Sequence, residues 1–314
     1  MKKFFIKSLY LVIPLSLFVW TMENNLGRVK NRYNFKRNCL EEQLDSIQVL
    51  VLGSSQVTFG VNPDYFCMKG FNLSNISQTL FYDTRLTMKY VDRMPKLKFV
   101  VINISYFTLG SQIYDGIESW RDYYYSQFWD INYPELDKFE LKRYSKLFLY
   151  TPSTSLSYLL KGFDVNLVGD LRRNGYYWVN TSDNTLSIND SVGLYRVRFH
   201  EKHYHDSRFN ENVKDLKELI GYLKKRGIVP AIVTPPVLPT YSKFVDVKRY
   251  GKNTRAIEQL CTTFDIRYFN YFTDTSFDKT DFTDNDHLNF LGAAKFSSRI
   301  NRDILRCKPD SIGQ

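Results

Sequence analysis

At 314 residues, 43% hydrophobic and 16% aromatic, the chain can bury one large core and still has room for an insertion. A net charge of +10 and a pI near 9.2 suit an anionic partner such as a polysaccharide, a teichoic-type polymer, a phospholipid surface or nucleic acid. No basic run is interleaved with a nucleic-acid motif, and "LGSSQVTFG" lacks the lysine and spacing of a phosphate cradle, so nucleic-acid and nucleotide binding are set aside.

The N-terminal stretch "MKKFFIKSLYLVIPLSLFVWTM" places Lys2, Lys3 and Lys7 ahead of an apolar segment that runs to Met22, a signal-anchor pattern. The segment is short for a bilayer span and contains Pro14, so a cleaved signal peptide competes with an anchor. The following "WTMENNLG" offers no small-residue cleavage site, which favours an anchor. Counting Arg28, Lys30, Arg32, Lys36 and Arg37 would keep the body in the cytoplasm. The short basic tail before a first apolar segment has the look of an export signal, and the expectation is a membrane-anchored chain with an extracytoplasmic body. Residues 23–46 are polar and charged and read as a linker.

The run "VLVLGSSQ", Val49 to Gln56, reads as a strand buried on both faces that stops at Gly53, as strands of a parallel sheet do. Ligands bind beyond the carboxyl ends of such strands, so Ser54 and Ser55 stand where chemistry is usually done, although Gly and Ser also make plain turns. "FNLSN" (Phe71 to Asn75), a helix near Thr79 to Arg93 and the apolar run Leu97 to Ser105 continue a β–α–β rhythm, which predicts an α/β fold with a parallel sheet. From about 106 to 209 the chain is crowded with Tyr, Trp and Phe and carries the polar turn 180–185. It is too long for a connection and reads as an insertion whose aromatics stack on sugars or form its own core. A helix from Asn210 to Gly227, a strand from Ile228 to Pro236, a helix near Thr254 to Phe264, a strand from Ile266 to Asn270 and a helix near Phe290 to Leu305 complete the 47–305 domain, ahead of a tail, 306–314. "TPPVLPTY" (Thr234 to Tyr241) reads as a site wall or a rigid connection.

Four cysteines, Cys39, Cys67, Cys261 and Cys307, lack metal-type spacing, and disulfide pairing stays open. His200, His203 and His205, with Asp206, could ligate a metal, but no zinc motif surrounds them, and a polar or substrate-contacting surface is the default. The remaining histidine, His287, follows Asp284 by three residues just before the last helix. That spacing lets a carboxylate orient an imidazole, as a serine nucleophile would require.

Gly53-Ser54-Ser55 near the start and Asp284-x-x-His287 near the end resemble the first and last blocks of the SGNH (GDSL-type) hydrolases. The likeness is to the membrane-anchored branch that includes DltD and the exopolysaccharide O-acetyltransferases. The resemblance implies a flavodoxin-like three-layer sandwich, with Ser55 as nucleophile, His287 as base, Asp284 as its orienting carboxylate, and no cofactor or metal. Segments before the late helix often form the acceptor pocket in that family, which implies substrate contacts for Arg198 and His200. The middle blocks depart from the pattern. Where the family has an oxyanion glycine this chain has Ser77 or Ser74, and the asparagine block reads Ser105, Tyr106, Phe107, leaving Asn103 and Asn75 as substitutes beside the Ser55 backbone N–H. The expected function is a serine esterase or O-acyltransferase acting on a cell-envelope or exopolysaccharide substrate. The alternative is a catalytically weak or inactive protein of this fold that binds polysaccharide.

Overall fold

The computed structural model describes residues 2–180 and 188–306. Cys307, the tail beyond 306 and all but the first residue of the turn 180–185 lie outside the described residues. The chain divides into two compact units, Met1–Arg37 with Trp120–Gly169, and Asn38–Ser119 with Asp170–Gln314.

The larger unit is built on five parallel strands: β1 (Val49–Leu52), β2 (Gly70–Asn72), β3 (Phe99–Asn103), β4 (Val229–Thr234) and β5 (Arg267–Asn270), in the order β2-β1-β3-β4-β5. This is the doubly wound, flavodoxin-like order, in which the chain leaves β1 in one direction and returns on its other side at β3. The register sets Val49 opposite Phe99 and Leu52 opposite Ile102. The carboxyl ends of β1 and β3 therefore lie side by side at the switch point, where ligands bind in such folds.

Alternation along the strands explains why both faces need cover. Val49, Val51, Val101, Ala231 and Val233 join one core with Val57 of α1 (Ser55–Gly60) and with Phe296 and Ile300 of α6 (Phe290–Ile300). The intervening Leu50, Leu52, Val100, Ile102 and Ile232 are equally buried. Helices α2 (Leu80–Tyr90), α4 (Asp206–Lys224) and α5 (Val247–Phe264) supply the second layer, with α4 against β4, α2 and α5. Helix α4 buries Leu216, Leu219, Ile220 and Leu223, a stripe at helical spacing. Helix α5 begins earlier than its apolar pattern suggests because the Asp246 side chain accepts the Lys248 and Arg249 N–H groups and caps it. The result is the expected α/β three-layer sandwich with a central parallel sheet.

Helix α3 (Asp190–Lys202) packs through Gly193 against the helical turn Pro239–Ser242 that follows β4. A Cβ there would lie 1.7 Å from the Thr240 carbonyl oxygen, so only glycine permits the approach.

In the smaller unit, Met22, Leu26 and Tyr150 are buried together with Tyr124, Leu147 and Tyr158 packed on them. Tyr33 meets Tyr124 and Tyr125 at centroid distances of 5.1 and 5.3 Å. These aromatics of the expected insertion thus make a core, while Phe139 and Tyr144 stay exposed. Residues 23–46, read from composition as a linker, hold the end of a helix at Arg28, the strand Lys30–Asn31 that pairs with Asn166–Leu167, and a whole helix, Arg32–Glu41.

The expected membrane anchor is overturned. The first helix runs from Lys2 to Arg28, yet among the described residues no helix is long and apolar enough to cross a membrane. The apolar stretch between Lys7 and Glu23 falls short of the ~20 residues a span needs, and the helix continues into Glu23, Asn24 and Asn25. The extracytoplasmic placement inferred from that anchor loses its support with it.

Candidate active site

Strand β1 is followed by Gly53, whose φ of +134° favours glycine and whose missing side chain matters as much. A Cβ at this position would come within 2.4 Å of the Asn103 Cβ, at the end of β3. The Gly53 N–H donates to Asp83 Oδ1 at 3.0 Å, and Gln78 Nε2 donates to the same oxygen at 2.6 Å. Complete burial raises the Asp83 pKa to about 7, against those two hydrogen bonds. Asn103 Oδ1 accepts from the Ser54 hydroxyl at 3.3 Å, while its Nδ2 is buried without an acceptor among the described residues. The turn is therefore held from below by Asp83 and from the side by Asn103, leaving Ser55 at the first position of α1.

Ser55 Oγ lies 2.8 Å from His287 Nε2, and His287 Nδ1 lies 2.8 Å from Asp284 Oδ2. The other Asp284 oxygen accepts the backbone N–H groups of Asp286 and His287, at 2.9 and 2.8 Å, which fixes the loop that carries the imidazole. The edge of Phe59 meets the His287 ring at a centroid distance of 5.2 Å. The three residues picked from opposite ends of the sequence thus form one continuous hydrogen-bonded line.

A second carboxylate, not singled out in the sequence, stands behind them. Asp286 is fully buried, 3.9 Å from His287 Nδ1, and is gripped by Arg196 through Nε at 2.9 Å and Nη2 at 3.1 Å. Burial opposes its charge, but His287 and Arg196 outweigh burial and hold its carboxyl far below the usual range. Burial also works to lower the His287 pKa, yet Asp284 and Asp286 prevail and leave it raised. His200, bonded through Nδ1 to Tyr241 at 2.6 Å and stacked on Phe107, is pushed down to about 3 by burial and stays neutral. Asp284, Asp286 and His287 offer ligand atoms within 4.8 Å of one another, but the cation already beside them is the Arg196 guanidinium.

A cavity of about 280 Å³ opens beside Ser55 and His287. Of the expected substrate contacts His200 lines it, whereas Arg198 is exposed and does not. Arg196, Phe199 and His200 share the lining face of α3 at helical spacing, with His203 at its C-cap, and Arg198 falls off that face. The expected histidine cluster is dispersed: His203 Nδ1 bonds the Phe199 carbonyl at 2.8 Å, His205 lies outside the lining, and Asp206 pairs with Lys252.

The oxyanion candidates separate just as clearly. Ser77 lines the cavity with a φ of +59°, the conformation that glycine favours, and its hydroxyl bonds Glu118. The backbone N–H groups of Ser55 and Ser77 have no acceptor among the described residues. Ser74 is buried against Asn72 and Thr58, and Asn75 donates its N–H to the Gly53 carbonyl at 3.1 Å. Ser74, Asn75 and Asn103 build the turns and lie outside the lining.

No protein-family model matches this chain, and no curated protein matches it. Among solved structures it is similar to a "putative acylhydrolase" from Bacteroides fragilis NCTC 9343, at 11% identity and a TM-score of 0.43, covering 88% of this chain and 98% of that one. A likeness at that score carries no argument about chemistry, which has to come from the side chains.

Proposed function

We propose that the chain is a serine-dependent ester hydrolase or O-acyltransferase of the SGNH type, with Ser55 as nucleophile, His287 as general base and Asp284 as its orienting carboxylate. The observation that carries this reading is the line Asp284 Oδ2–His287 Nδ1, His287 Nε2–Ser55 Oγ, with both spacings at 2.8 Å. Ser55 Oγ attacks the ester carbonyl as His287 Nε2 takes its proton. The tetrahedral oxyanion is held by the Ser55 and Ser77 N–H groups. His287 then protonates the departing alcohol, leaving an acyl ester on Ser55. Water or a second hydroxyl attacks that ester, gives its proton to His287 and restores Ser55. Hydrolysis and transfer differ only in the acceptor, for which a polysaccharide hydroxyl is proposed on the strength of the +10 net charge.

The test is labelling of the purified full chain with a fluorophosphonate probe beside Ser55→Ala and His287→Ala. The reading expects labelling that is abolished in the first variant and slowed at least ~100-fold in the second. An unlabelled native chain, in an assay where a known serine esterase reacts, would sink it.

A further inference from the structure

The cavity beside Ser55 is unsuited to a sugar ring. Its walls include Phe59, Ile76, Phe107, Ile113, Ile117 and Phe199. Most of the polar side chains among its lining residues are engaged with protein partners. Ser77 bonds Glu118, Thr79 bonds Gln112 Oε1 while Gln112 Nε2 reaches Asn212, Gln78 bonds Asp83, and Arg196 spends Nε and Nη2 on Asp286. His200, neutral and covered by the Phe107 ring at 4.1 Å, adds no charge. Hydroxyls buried against the apolar walls would lose water and regain few hydrogen bonds, whereas an alkyl chain gives up none.

We propose, resting on the serine-acyl reading above, that this cavity is the acyl pocket and that it selects a medium-length alkyl acyl group rather than acetyl. An apolar cavity of ~150 Å³ takes a six-carbon ring, so about 280 Å³ has room for roughly 8–11 carbons. Any sugar is then the acceptor at the mouth, not the occupant. Each buried methylene is worth about fourfold in affinity or in kcat/KM until the pocket is full.

Gly116 supplies the control, because it lines the cavity and a Cβ there meets nothing nearer than 3.5 Å. Gly116→Leu therefore fills the pocket without forcing the backbone. Two measurements on the full-length chain test the proposal: kcat/KM on p-nitrophenyl acetate, butyrate, octanoate and dodecanoate with the Ser55→Ala background subtracted, and calorimetric binding of sodium octanoate and butyrate to Ser55→Ala. The expected result is an optimum near octanoate at least ~100-fold above acetate, octanoate binding at least ~30-fold tighter than butyrate, and an octanoate-to-butyrate ratio cut at least ~10-fold by Gly116→Leu. Ser55-dependent turnover that is flat or best on acetate overturns the pocket assignment and leaves the serine reading standing. Octanoate binding that Gly116→Leu weakens, with no Ser55-dependent turnover on any ester, does the reverse. Octanoate binding no tighter than butyrate overturns the pocket assignment whatever the turnover.

Discussion

Gly53→Ala sets two costs against each other in one methyl group. At φ +134° an L-residue sits in a region nearly reserved for glycine, which costs about 1–3 kcal/mol. The added Cβ would stand 2.4 Å from the Asn103 Cβ and 2.8 Å from its Oδ1, about 1 Å inside normal contact, so the ends of β1 and β3 must part. Overpacking of that kind costs about 1–3 kcal/mol more. The sum, roughly 2–6 kcal/mol, lowers the melting temperature by about 4–12 °C at ~2 °C per kcal/mol for a chain of this size. Gly227→Ala separates the parts, since Gly227 has a φ of +71° but nothing within 4 Å of an added Cβ. Its loss reports backbone strain alone and is expected to be the smaller by at least ~1 kcal/mol. Differential scanning calorimetry and urea titration of both variants provide the comparison, and a cycle with Asn103→Gly, which removes the opposing Cβ, provides the coupling. Equal losses for the two glycines, or no coupling between positions 53 and 103, would refute the close-approach argument.

Two further outcomes follow from the ionisable groups. Activity needs neutral His287, whose pKa is raised by Asp284 and Asp286 against the effect of burial, so the rate of fluorophosphonate labelling should rise through an ionisation above the ordinary histidine value. Asp284→Asn removes stabilisation of the imidazolium and should move that ionisation down as well as slow the reaction; an unmoved or upward profile would contradict the assignment. Asp83 is raised by burial from 3.8 to about 7, so the stability it contributes is fully present below pH ~4 and is lost as pH rises through 7, by an amount of the order of 4 kcal/mol. Asp83→Asn should therefore gain on the native chain between pH 5 and pH 8 in urea titrations, and a constant difference across that window would count against a protonated Asp83.

Local pattern made most of the sandwich legible, because burial on both faces demands continuous apolar runs such as Val49–Leu52 and the amphipathic stripe of α4 demands leucines at helical spacing. Strand β2 was legible only as the short run Phe71 to Asn75, without bounds of its own, because three residues, Gly70–Asn72, are too few to show a period. The N-terminal segment misled because apolar composition alone does not measure whether a helix is long and apolar enough to cross a membrane. Ser55, His287 and Asp284 could be picked from residue type and spacing, since Gly-Ser-Ser after a buried strand and Asp-x-x-His before a helix are local signals.

Their meeting was decided by the 2-1-3-4-5 strand order, which brings residues 232 apart in the chain within 2.8 Å. Nothing local announces Asp286, adjacent to the histidine, or its partner Arg196, ninety residues away. The resemblance pointed to Arg198, whereas Arg196 lines the cavity, because which face of a helix meets a cavity depends on what the helix packs against. The cavity itself, and hence the choice of an alkyl chain over a sugar ring as its occupant, exists only where the loops following β1, β2 and β3 converge with α3. Type and spacing in one dimension can nominate a nucleophile and its base, but pocket shape and charge neutralisation are sums over neighbours that only the folded chain supplies.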